Sequence, residues 1–176
     1  MRTFCLPWSF LSTLTLAFCC QAASVGADVK KPPFSLMISA DGSTANPGSA
    51  VWLTVTMENK SDHDISVYRE NTPDQGGFVY RVDIHKDEGT TVPETKFGRR
   101  IQGHDTPEER AREPYVTLTS GGEQSLAPGK KMTDRININR LYDLSQPGKY
   151  TIQVRRFDPE NKAFVLSNKI IVTVTP

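Results

Sequence analysis

The chain has 176 residues, with 21 lysines and arginines against 20 aspartates and glutamates. A balance this even gives no net electrostatic pull toward nucleic acid or an anionic membrane, and the length suits one domain, not two. The three cysteines, Cys5, Cys19 and Cys20, all stand near the amino terminus. The rest of the chain therefore has no disulfide, thiol nucleophile or cysteine metal site, and at this length it can bury an adequate core without one.

Arg2 is followed by an uncharged, largely apolar stretch over residues 3–18 and then by small residues ending in Val25-Gly26-Ala27. That is the order of a secretory signal peptide. The stretch is interrupted by Pro7 and falls short of the roughly 20 residues that a membrane-crossing helix needs, which predicts an exported product, periplasmic or extracellular, with no transmembrane segment in the mature chain. Small side chains one and three residues before the cut place cleavage after Ala27, giving a signal peptide over 1–27. Gln21-Ala22-Ala23 is the competing site. Leu16-Ala17-Phe18-Cys19 supplies the alternative of a lipid anchor, as a lipobox with a bulky residue before the cysteine.

Lys30-Lys31-Pro32-Pro33 ends an extended spacer over 28–33, since consecutive prolines fix φ and remove backbone donors. The domain is expected over 34–176. Phe34, Leu36 and Ile38 alternate with Ser35, Met37 and Ser39, the period of a strand, and Asp41-Gly42 turns the chain. After Pro47-Gly48 the alternation Val51, Leu53, Val55, Met57 predicts an inner strand closed by Asn59-Lys60-Ser61-Asp62, while the register of Trp52 leaves core or surface open. Ile65 and Val67 continue the pattern to the turn-forming residues 71–77. Phe78, Tyr80, Val82 and Ile84 alternate next, and Asp87-Glu88-Gly89 returns the chain into residues 90–92 as a hairpin.

Residues 94–114 break the β pattern, being strongly charged, nearly free of aliphatic side chains and longer than most connections. Thr106-Pro107-Glu108-Glu109 resembles a capping box with proline at the first helical position, which predicts a short helix through Arg112. Strands resume with Tyr115, Thr117 and Thr119, turn at Gly121-Gly122 and again at Leu126-Ala127-Pro128-Gly129, and continue to Ile136 and Ile138. Tyr150, Ile152 and Val154, then Ile170, Val172 and Val174, form the most regular pair, reversed at Asp158-Pro159-Glu160-Asn161, with residues 164–166 extending the hairpin. Eight or nine short strands separated by turn residues predict an all-β, two-sheet antiparallel sandwich with one long charged loop that can hold a short helix.

Leu144-Ser145-Gln146-Pro147-Gly148-Lys149-Tyr150-Thr151-Ile152 resembles the tyrosine corner of immunoglobulin-like domains, in which a turn and a glycine precede a tyrosine whose hydroxyl bonds back to upstream backbone. Tyr150 and Gly148 match, and Ile152 holds the place of the antibody cysteine, so the likeness is to cysteine-free members. Residues 126–129 and 167–172 also look like late strands of immunoglobulin-like modules in secreted bacterial proteins. The outline of a turn-rich sandwich is shared by one bacterial proteinase-inhibitor family, an analogy of architecture.

His63, His85 and His104 lack the spacing of a helical metal pair, and turn chemistry accounts for Asp62-His63-Asp64 and the residues after Asp158 without calcium. No Gly-x-Ser-x-Gly elbow is present, so no catalytic residue, cofactor or metal is assigned. Asn59-Lys60-Ser61 is formally a glycosylation sequon. The expected working surface is the long loop, where Lys96, Phe97, Arg99, Arg100, His104, Arg110 and Arg112 would meet a partner on a rigid sandwich. The function expected is a non-catalytic binding or accessory module contacting another protein or the cell envelope. The alternatives are an inhibitor of an extracellular protease and a lipid-anchored envelope protein.

Overall fold

The computed structural model describes residues 31–70, 79–87, 89–112 and 121–176. The expected signal peptide, Cys5, Cys19, Cys20, the turn at 71–77, Phe78, Glu88 and the strand through Tyr115, Thr117 and Thr119 lie outside those residues. The described chain is an all-β sandwich. One sheet has three strands in the order β1 (Phe34–Ala40), β3 (Trp52–Asn59) and β8 (Lys131–Asn137). The other has five, in the order β2 (Thr44–Ala45), β10 (Ala163–Val174), β9 (Gly148–Asp158), β5 (Arg81–Lys86) and β6 (Thr90–Thr91). Every pairing is antiparallel except the short parallel contact of β2 with β10.

The period-2 residues meet between the sheets. Leu36, Ile38, Leu53, Val55, Met57 and Ile136 face Val82, Ile84, Tyr150, Ile152, Val154, Val172 and Val174, all buried in one core. Alternate positions on the other face stay in water, as two packed layers require. Trp52 is half-buried, with the Arg135 guanidinium 4.8 Å above its ring.

β3 and β8 run on, past a corner, into a second ribbon made of β4 (Ile65–Glu70) and β7 (Gly121–Leu126). Gly121-Gly122 is therefore strand and not the turn expected, because Glu70 and Arg69 pair with it in the β4 register. Asn59 pins the corner. It is 1% exposed, and its amide nitrogen donates to the carbonyls of His63 at 2.8 Å and Leu126 at 2.7 Å while its oxygen accepts from the Ser61 backbone N–H at 2.8 Å and hydroxyl at 2.7 Å. The sequon asparagine is thus closed within the fold.

Two further devices join the layers. Asn168 sits where the β9–β10 register shifts between Leu166 and Lys169, and its amide pairs with both backbone groups of Ile38, accepting at 2.7 Å and donating at 3.0 Å. It thereby acts as a one-residue strand beside β1. Tyr150 is 1% exposed and its hydroxyl donates to the Gln146 carbonyl at 2.6 Å, the bond that defines a tyrosine corner. Gly148 ahead of it has φ 150° and lies so close to Lys86 and Asp87 that a Cβ would come within 2.5 Å of the lysine side chain. Only glycine fits that conformation and that space.

Candidate functional site

The charged segment forms two helices, α1 (Lys96–Gln102) and α2 (Pro107–Arg112). The box at α2 is reciprocal: the Glu109 N–H donates to the Thr106 hydroxyl at 3.1 Å, and the Thr106 N–H donates to the Glu109 carboxylate at 3.0 Å. No capping box or apolar period marks α1, which starts where Thr95 accepts from the Gly98 N–H at 2.8 Å. It docks on the short helix α3 (Ile138–Leu141) because Gly98 has no side chain; a Cβ there would sit 1.9 Å from the Leu141 carbonyl oxygen. Nearly free of aliphatic side chains as it is, the segment still supplies Ile101 to the main core cluster, where it is 6% exposed. Thr95 also donates its hydroxyl to the Arg140 carbonyl, and Arg81 donates to the Ile101 carbonyl.

The residues expected to greet a partner are largely occupied. Phe97 is half-buried against the core, with the Arg140 guanidinium 4.5 Å over its ring. Arg99 pairs with Glu109 and reaches the Glu94 carbonyl. The Glu109 carboxyl is held below its ordinary range by Arg99 first and by the Thr106 N–H second. Arg110 lies 3.2 Å from Asp105, whose carboxyl it likewise pulls down. His104 is 2.9 Å from Glu94. Lys96 and Arg112 are exposed, whereas Arg100 is half-buried. The Arg99–Glu109 pair ties α1 to α2, and the Arg110–Asp105 and His104–Glu94 pairs hold the turns beside them.

Exposed apolar surface lies elsewhere. Six large hydrophobic side chains are exposed among the described residues, and four of them, Phe157, Phe164, Leu166 and Ile171, belong to β9 and β10. The register places them on the outer face of the five-stranded sheet in cross-strand rows. Phe164 pairs with Phe157 at the hairpin end, then Leu166 with Arg155 and Arg81, Lys169 with Gln153 and Asp83, and Ile171 with Thr151 and His85. The two rings stand edge to face, 5.5 Å between centroids. Arg155 lies 4.9 Å over the Phe164 ring, and its Nε stands 3.2 Å from an Asp83 oxygen without the alignment of a hydrogen bond. Residues Phe157 and Phe164 flank a turn, so they carried no strand signal strong enough to mark them as a surface.

Behind the hairpin end is a groove of about 260 Å³ between Tyr68 and Phe157, floored by Phe34 and Val67, with Glu123 and Glu160 at its lip. Arg156 lines it from within, 7% exposed, donating to the Tyr68 carbonyl at 2.7 Å and stacking 5.2 Å from the Tyr80 ring. The Tyr80 hydroxyl donates to Asp134 at 2.7 Å, and Asp134 accepts from Arg69 at 3.0 Å. Burial first, and the Asp134 charge second, push the Tyr80 phenol up. This chain of polar groups bolts β4, β8 and β9 together, and it leaves one guanidinium nitrogen of Arg156, Nη1, buried without a hydrogen-bond partner among the described residues.

His63 lies 3.0 Å from Asp62 and 3.6 Å from Glu160, and the bond to Asp62 is the main reason its pKa is raised. Asp158 is buried, accepting from the Glu160 N–H and the Asn161 amide; this is turn chemistry. Among the described residues no group of three or more His, Cys, Asp or Glu could hold a metal. No helix among them is long and apolar enough to cross a membrane.

No protein-family model and no curated protein matches the chain. Among solved structures it is similar to the CARDB domain of a Pyrococcus furiosus protein in complex with di-metal ions, at 15% identity and a TM-score of 0.43, over 82% of this chain and 94% of that one. It is also similar to the Pseudomonas fluorescens alkylpurine DNA glycosylase AlkC bound to DNA containing an abasic-site analogue, at 12% identity and a TM-score of 0.40, over 82% of this chain and 31% of that one. Likenesses this distant carry no ligand or activity to this chain, and the sandwich is read from its own strand order.

Proposed function

We propose that the chain is an exported, non-catalytic binding module that works through the outer face of its five-stranded sheet, contacting another protein or the cell envelope. What supports this reading is the gathering of four of six exposed large hydrophobic side chains on that one face. Scattered exposed apolar residues are ordinary; a contiguous set on a rigid sheet marks a contact surface. The segment of residues 94–112, whose charges pair with one another and whose apolar side chains turn inward, is assigned to bracing. An inhibitor that offers a protease an extended loop gains no support from that segment, which is two helices.

The test is site-specific cross-linking in the producing cell. A photoreactive p-benzoylphenylalanine in place of Phe164 should capture an envelope component, whereas the same residue in place of Met37, 66% exposed on the opposite sheet, should not. Equal capture from both positions, or none from 164, refutes the assignment of the face. Intact mass of the exported product checks the address: an amino terminus at Asp28 supports it, and an acylated Cys19 or Cys20 makes the protein lipid-anchored.

A further inference from the structure

We infer that the partner of this face is an anionic lipid surface, an inference that rests on the face being the working surface. Its charge is the first ground. Arg81, Lys149, Arg155 and Lys169 stand on it against two carboxylates, Asp83, which Arg155 already holds, and Asp87, which accepts from the Lys149 backbone N–H at 3.1 Å. Four cations against two anions is a formal excess of two in a chain whose totals are 21 and 20. The overall balance conceals a segregation, and the local field on this side of the molecule is positive. A second copy of the chain would bring the same excess against itself, which disfavours a symmetric pair.

The arrangement of the apolar groups is the second ground. Protein-binding hot spots gather their anchors at a centre and ring them with polar residues. Here Phe157 with Phe164, then Leu166, then Ile171 extend along the strands over roughly 20 Å, at about 3.3 Å per residue, with Arg155 and Lys169 set between them. The phenyl and aliphatic groups stand out from one face of an open sheet, and the concave space near the hairpin is the groove behind Phe157. An open sheet face with interleaved cations and apolar side chains matches the boundary of a bilayer, where rings sit among the headgroups while lysine and arginine stems lie along them and their charged ends reach phosphates. Anionic lipid supplies the opposite charge, at a gain of about 1 kcal/mol for each lysine or arginine brought to the surface.

The experiment uses the full chain and two kinds of vesicle, phosphatidylglycerol mixed with phosphatidylcholine and phosphatidylcholine alone. The native protein should sediment with the mixed vesicles at low salt, and much less with the neutral ones or at high salt. Lys169→Gln and Lys149→Gln should each lower partitioning about fivefold, a factor equivalent to ~1 kcal/mol. Leu166→Ser with Ile171→Ser should lower it further while thermal melting stays native, since both side chains are more than half exposed. The apolar segment of residues 3–18 is the same in every variant, so equal binding by all of them overturns the inference, as does equal binding to neutral vesicles or no binding at all. The photoreactive residue at 164 separates the two levels. Adducts with phospholipid support lipid as the partner. Adducts with protein alone overturn it but keep the face, and no adduct of either kind removes the face as well.

Discussion

Replacing Asn59 by alanine tests the corner from which the second ribbon hangs. The side chain makes four hydrogen bonds from a position that is 1% exposed. At about 1 kcal/mol net apiece these would sum to about 4 kcal/mol. The Ser61 and His63 groups lie near solvent and recover water, so they return part of that. The Leu126 carbonyl belongs to the buried bond, and an acceptor left unpaired there costs about 1–3 kcal/mol by itself. A loss of about 2–4 kcal/mol follows, large against a domain's usual total of about 5–15 kcal/mol. Urea unfolding of Asn59→Ala should show the midpoint shift with an unchanged slope. Asn59→Asp adds a control of sign, because it sets a carboxylate against two carbonyls. That raises the folded-state pKa of the new group, so its penalty is greatest at neutral pH and is relieved as pH falls through the raised value. Should the alanine variant unfold within about 0.5 kcal/mol of native, the range of an inconsequential surface change, Asn59 does not pin the corner.

Tyr150→Phe keeps the ring but frees the Gln146 carbonyl, and a drop of about 1 kcal/mol in denaturant stability is expected; no drop means the corner bond is dispensable. Gly98→Ala forces a methyl group onto the Leu141 carbonyl, so α1 must lift from α3 at about 1–3 kcal/mol, read as a lower melting temperature and faster amide exchange in α1 and α3. Excising residues 96–113 in favour of a short turn should be worse still, because Ile101 leaves the core with them. His63 has its pKa raised above the ordinary 6.5 by Asp62 and Glu160, so its contribution is complete below pH 6.5 and lost as pH rises through the folded value. The melting temperature of native protein should decline across that window, and His63→Gln should remove the decline.

The strands of the two sheets were legible because they bury one side at a time. Val51, Leu53, Val55 and Met57 in β3, and Tyr150, Ile152 and Val154 in β9, spell out an inner face by alternation alone. The capping box likewise announced α2, whose recognition needs only four consecutive residues. What stayed hidden depended on distant partners. Helix α1 has one buried aliphatic, Ile101, and one glycine that matters because Leu141 lies above it, and no window of sequence displays that approach. Gly121-Gly122 has the composition of a turn yet is strand by virtue of β4. The charges of residues 94–112 looked available because pairing such as Arg99 with Glu109 is a property of the folded segment. The outer face escaped notice for a related reason: its cations come from β5, β9 and β10, and only the register assembles them.

Asn168 and Ile38 are 130 positions apart, and among the described strands β2 pairs only with β10. The earliest strands therefore cannot be completed until the latest one has been synthesised. A nascent chain interrupted before residue 163 would leave β1 paired with β3 but without Asn168 at its Ile38, β2 unattached and β9 with one free edge. Contacts of such sequence separation close late and slowly, since the loop entropy must be spent before they form. The three-stranded sheet of β1, β3 and β8 can pair before then, whereas the five-stranded sheet, and with it the apolar outer face, is complete only once β10 has arrived.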